Sequence, residues 1–100
     1  MNAVTHTPGP WTLVEHDRDF FVLPDGDDNG CITEIPNRGN GRNYDENQAN
    51  ARLIASAPDL LLLLKQAVAR VEIANAEGNP ILSAWLQDAR AALAKAEGIL

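Results

Sequence analysis

From residue 11 to residue 35 the apolar positions arrive in three short runs, WTLVE, FFVL and CITEI, each bounded by polar clusters. Aromatic and β-branched residues dominate them, and each is too short for a helix, so they read as strands. The turn HDRD joins the first two runs and PDGDDNG joins the second to the third. Such short links favour antiparallel neighbours and predict a three-stranded meander. Trp11, Leu13, Phe20 and Val22 form its expected inward side, whereas Phe21 and Leu23 fall on the other face and leave the choice of side open. In the third run Cys31, Thr33 and Ile35 alternate with Ile32 and Glu34, and a lone strand cysteine is expected as small core filling.

The pattern then changes. Residues 36–44, PNRGNGRNY, hold little apolar content and read as a loop. Asp45 followed by Gln48 has capping-box spacing and opens a short helix, ENQANARLIA. Ser56 and Asp59 repeat that spacing with Pro58 between them, which predicts a break or strong kink near residues 55–58. A long helix from Pro58 to about Ala76 ends at Gly78 as a left-handed cap, and Asn79 caps a last helix with Pro80 at its first position. Two helices joined this tightly form an antiparallel hairpin. Leu82, Trp85, Leu86, Ala89, Leu93 and Ala96 make one apolar stripe on the last helix, joined by Ala92. The five leucines at 60–64 instead cover more than half the circumference of theirs, too wide a surface for one partner helix. Leu60, Leu62 and Leu63 are therefore candidates for an oligomer interface, most simply in a two-fold homodimer.

The expected fold class is α+β, with an N-terminal three-stranded antiparallel β-meander packed on a short helix and a C-terminal antiparallel α-hairpin. A chain of 100 residues accommodates this as one domain, residues 1–100, divided into meander 1–36, loop 37–44 and helical part 45–100.

Charge separates these parts. Residues 15–46 hold nine carboxylates against three arginines and so carry the whole net charge of −6, while residues 47–100 balance five against five. No basic face is available to displace phosphate counterions, which excludes duplex nucleic acid as a partner. The start, MNAVTHTPGPW, lacks the basic and apolar regions of a signal peptide, and the longest apolar run is far too short to cross a bilayer. With Cys31 alone no internal disulfide forms. A small cytoplasmic protein is expected, with no cofactor.

Three stretches invite a chemical reading. Asp25, Asp27, Asn29 and Gly30 match the opening of a calcium loop, but the closing bidentate Glu is replaced by Pro36, and Leu23-Pro24 cannot end an entering helix. Asp, Asn and Gly are equally the residues of a wide hairpin turn, and no metal site is expected there. His6, His16, Cys31, Ser56 and Ser83 show neither metal-ligand spacing nor a nucleophile elbow, so no catalytic residue is assigned and the chain is expected not to be an enzyme. Arg38, Arg42, Asn43, Tyr44, Asn50 and Arg52, with Asn47 among them, gather guanidinium forks, amides and an aromatic face at a helix N-terminus, a set able to hold a phosphorylated small ligand. Asp45 and Glu46 oppose it at the same positive helix end. In the plainer alternative the loop is solvated and Arg52 pairs with Asp59 or Glu46.

HTPGPW at residues 6–11 and ANARLIASAPDLL at residues 49–61 resemble the short, mostly uncharacterised proteins of phages and prophages that share these two blocks around a variable strand region. The resemblance covers neither the acidic strands nor the last helix. It implies a viral accessory protein in the host bacterial cytoplasm, and small phage proteins of this kind are often antagonists of bacterial immunity that bind stoichiometrically. Within the blocks most residues specify fold, whereas Asn50 and Arg52 are polar groups that packing alone does not require.

Two functions of different classes follow. In the first, an acidic face including Asp17, Asp19, Asp25, Asp27 and Asp28 docks on a basic surface of a host defence protein. In the second, an oligomer sequesters a nucleotide immune signal at Arg38, Arg42, Asn43, Tyr44, Asn50 and Arg52. A structural or regulatory adaptor of the phage is a third.

Overall fold

The computed structural model describes residues 6–25 and 30–98. Strands β1 (Trp11–His16), β2 (Asp19–Pro24) and β3 (Thr33–Ile35) are followed by helices α1 (Tyr44–Ala74) and α2 (Pro80–Ala96). The sheet is an antiparallel meander in the order β1-β2-β3, as the apolar runs predict. The chain divides into two compact units, Met1–Asp59 and Leu60–Leu100. Among the described residues no helix is long and apolar enough to cross a membrane.

Register settles which face is inward. Trp11 pairs with Pro24, Leu13 with Val22 and Glu15 with Phe20, and directly paired residues share a face. Phe20, Val22 and Pro24 are buried on that side. The β1–β2 turn uses two residues, Asp17 and Arg18, with φ of 50° and 69°. Positive φ at both centres is the geometry whose twist matches the flanking strands. His16, expected in the turn, is instead the last residue of β1.

Three local expectations are corrected. Cys31 does not fill the core: it is exposed and lies ahead of β3, which is shorter than the CITEI run. The N-cap of α1 is Asn43 rather than Asp45, since Asn43 Oδ1 accepts from the Glu46 N–H at 2.8 Å. An amide oxygen three residues before an orphan N–H suits that role as well as the Asp45 carboxylate does.

The third correction concerns the helix itself. No break occurs at residues 55–58; α1 runs through Pro58. Proline there removes one backbone donor, but good helix formers flank it on both sides and carry the helix across. The inward positions of the first unit are Tyr44, Asn47, Ala51, Ile54 and Pro58, all buried or half-buried at helical spacing. The second unit begins a new row at Leu64, Val68 and Val71.

In the second unit Val68, Leu86 and Ala89 are buried together, with Leu64, Val71 and Leu93 packed against them, which forms the expected antiparallel hairpin. Its connection matches the sequence signals. Gly78 takes φ of 75°, and Asn79 Oδ1 accepts from the N–H groups of Ile81 and Leu82 at 2.9 and 3.3 Å. Asn75 adds a contact that composition did not suggest, its Oδ1 accepting from the Asn79 N–H at 2.6 Å.

Candidate functional site

The outer face of the sheet carries the side chains that alternation turns away from Phe20 and Val22. Val14 stands directly across from Phe21, and Leu23 across from Thr12. Val14 is 40% exposed, and Phe21 and Leu23 are half-buried, so an apolar row remains in contact with solvent. His16 pairs with Asp19 on the same face, and Glu34 pairs with Phe21 from β3. Asp17 at the turn and Asp25 beyond β2 are exposed. Apolar Val14, Phe21 and Leu23 are thus flanked by Asp17, Asp19, Asp25 and Glu34. Phe21 and Leu23, which left the inward face undecided in the sequence, form the centre of this surface.

These carboxylates are partly held in place. Asp19 Oδ1 accepts from the Asn37 N–H at 2.8 Å, and Asp25 accepts from the Thr12 hydroxyl. His16 Nε2 lies 3.3 Å from Asp17 Oδ2, and Arg18 and Arg38 line a groove together with Asp17 and Asp19. Asp27 and Asp28, together with the centre of the calcium-like stretch, lie outside the described residues. Among the described residues no three His, Cys, Asp or Glu side chains gather closely enough to hold a metal ion.

The arginine cluster is arranged differently. Arg42 Nε lies 3.6 Å from Glu46 Oε1, and Asn43 spends its side-chain oxygen on the helix cap. Tyr44 donates its hydroxyl to Glu15, and its ring lies 5.3 Å from that of Phe20 and beneath Arg18, whose guanidinium carbon is 4.8 Å from the ring centroid. The Glu15 hydrogen bond, then burial, push the Tyr44 hydroxyl above its ordinary value, with Arg18 acting in the opposite sense. Asn50 is half-buried and Arg52 exposed, and two positions apart on a helix they do not face each other. Arg52 enters neither of the ion pairs expected for it; Glu46 is taken by Arg42.

Asn47 organises the loop before α1. It is fully buried, accepts from Asn40 Nδ2 at 2.7 Å and donates to Asn37 Oδ1 at 3.2 Å. It sits on α1 just after the Asn- and Gly-rich stretch of residues 36–44, and its role is to shape that loop rather than to face a ligand.

Arg38 lines an open groove of about 400 Å³ with Asp17, Arg18, Asp19, Pro36 and Asn37. Two carboxylates balance the two guanidinium groups there, which leaves no net field for a phosphate. A second groove of about 310 Å³, lined by Glu72, Asn75, Ser83, Leu86 and Arg90, has its two charges closed on each other at 2.8 Å.

Residues 1–99 match the family described as Salmonella phage P22 protein Y8K6. No curated protein and no solved structure matches the chain.

Proposed function

The chain belongs to the Salmonella phage P22 protein Y8K6 family, and on that premise we propose that it is a non-enzymatic phage accessory protein. It acts in the host bacterial cytoplasm as an antagonist of immunity, by stoichiometric binding to a host defence protein. One observation supports this reading best: on the outer face of the sheet an apolar centre of Val14, Phe21 and Leu23 lies among Asp17, Asp19, Asp25 and Glu34.

Apolar centres with polar rims are the anatomy of protein interfaces, and a rim in which four carboxylates outnumber the guanidinium groups of Arg18 and Arg38 accelerates encounter with a positively charged partner. The matching surface is an apolar depression bordered by lysine and arginine, the kind of surface that otherwise receives nucleic acid. Sequestration of a nucleotide at Arg38, Arg42, Asn43, Tyr44, Asn50 and Arg52 has less support. Arg42, Asn43 and Tyr44 are committed to contacts within the chain, and Asn50 and Arg52 do not share a face.

Capture from host lysate tests the proposal, comparing the wild-type chain with Asp17→Asn/Asp25→Asn and with Phe21→Ser at about 50 and about 300 mM salt. The expected result is one host protein retained in whole-number ratio by the wild type at low salt. Each variant lowers retention at least about tenfold, and high salt weakens the wild type. Equal retention of that protein by all three chains at both salt concentrations overturns the assignment.

A further inference from the structure

The unit Leu60–Leu100 buries few residues for its length: among those described, Val68, Leu86 and Ala89. Two helices of this size do not close a core alone, and small folds of this kind recruit disulfides, metals or a second copy. Cys31, the only cysteine, lies in the other unit, so no disulfide serves here.

Apolar side chains remain for a further partner, and helical geometry places them at the two ends of one side of the hairpin. At about 100° per residue, Leu63 lies roughly a quarter-turn, and Leu60 roughly an eighth of a turn, to one side of the inward row Leu64–Val68–Val71. Ile81 and Trp85 lie roughly a quarter-turn to the same sequence-sense side of the inward row Leu82–Leu86–Leu93. Because α1 and α2 run antiparallel, offsets of the same sense fall on the same broad side of the hairpin. Leu63 is 61% exposed and Ile81 80% exposed, and Leu60 and Trp85 also remain in solvent. Leu62 projects from the back of α1 instead.

We infer that this broad side is covered by the same side of a second copy of the chain, the two hairpins closing as a four-helix bundle about a two-fold axis. Charge favours that occupant. Residues 60–100 carry four cations and four anions, whereas the net charge of −6 lies entirely in residues 1–59. Lys65–Glu97 at 3.3 Å and Arg90–Glu72 at 2.8 Å are closed within the hairpin. By the same angles the exposed Arg70 and Asp88 also fall on this side, one of each sign, so two copies meet here without net charge on either face, and no basic rim marks the surface for anionic lipid. The 17 residues of α2 set a length of about 25 Å, and two helices a width of about 20 Å. Two such faces together reach about 1,000 Å², the scale at which an interface becomes specific.

Sedimentation equilibrium of the full chain tests the inference, with Leu63→Glu, Ile81→Glu and Leu62→Glu alongside and helicity checked by circular dichroism. The expected wild-type mass is twice the 10.8 kDa of the chain at micromolar concentration. Leu63→Glu and Ile81→Glu keep their helicity and weaken association at least about 100-fold, while Leu62→Glu stays a dimer. A monomeric wild type, including one that instead binds lipid vesicles, overturns the inference, as does a Leu62→Glu chain that dissociates as readily as Leu63→Glu.

Discussion

Gly9 stands against the ring of Pro58 so closely that a methyl group on Gly9 would lie 2.7 Å from Pro58 Cβ and 3.0 Å from Cγ. The two blocks HTPGPW and ANARLIASAPDLL are therefore joined at one contact inside the first unit. Trp11 tightens the first block by donating its indole N–H to the Thr7 carbonyl at 3.1 Å. Both partners are stiff, one a helical proline, so neither yields easily. Gly9→Ala is expected to lower unfolding free energy by about 1–3 kcal/mol. Urea unfolding checks this; a change below about 0.5 kcal/mol would show that the joint is loose.

Asn47 is the second structural prediction. Its amide closes hydrogen bonds to Asn40 and Asn37 from a fully buried position. Asn47→Ala leaves those partners without it and is expected to cost about 2–3 kcal/mol. Hydrogen exchange of residues 37–43 should rise well beyond that of β1 and β2, because the loop loses its anchor while the sheet does not.

Tyr44 gives a pH dependence with a definite sign. The Glu15 hydrogen bond favours the neutral phenol in the folded state and raises its pKa. That contribution to stability is fully present below the unfolded value near 10 and is lost as pH rises through the raised folded value. Tyr44 is the only tyrosine, so phenolate absorbance reports it alone. Glu15→Ala should move the absorbance midpoint downward and flatten the loss of stability above pH 10. An unmoved midpoint contradicts the contact.

At the turn of the hairpin, Asn79 satisfies two orphan N–H groups of α2. Asn79→Ala should destabilise the chain by about 1 kcal/mol, and Asn79→Asp much less, since the carboxylate still accepts. Thermal unfolding of the pair distinguishes a capping role from a merely tolerant loop position.

Much of this architecture was legible because local signals and packing agree. The strand runs, the Gly78 stop and the Asn79–Pro80 start each have a local physical cause. Pro58 misled because its local rule, a helix start, competes with helix formers on both sides, and a chain-distant contact with Gly9 fits a proline there. Cys31 misled because β3 is shorter than its apolar run. The outer sheet face was only half legible: the carboxylates showed in composition, but the apolar centre required the register that sets Val14 opposite Phe21. In the arginine cluster, Tyr44 could not be assigned to Glu15 or Arg18 from spacing, because those partners lie on another element.

Native mass spectrometry of the chain recovered from phage-infected host cells tests the central claim most directly. The account predicts a retained polypeptide partner in whole-number ratio to the chain, lost in Asp17→Asn/Asp25→Asn and unaffected by Arg52→Ala. A mass gain of nucleotide size, abolished by Arg52→Ala and indifferent to the two aspartates, would contradict it.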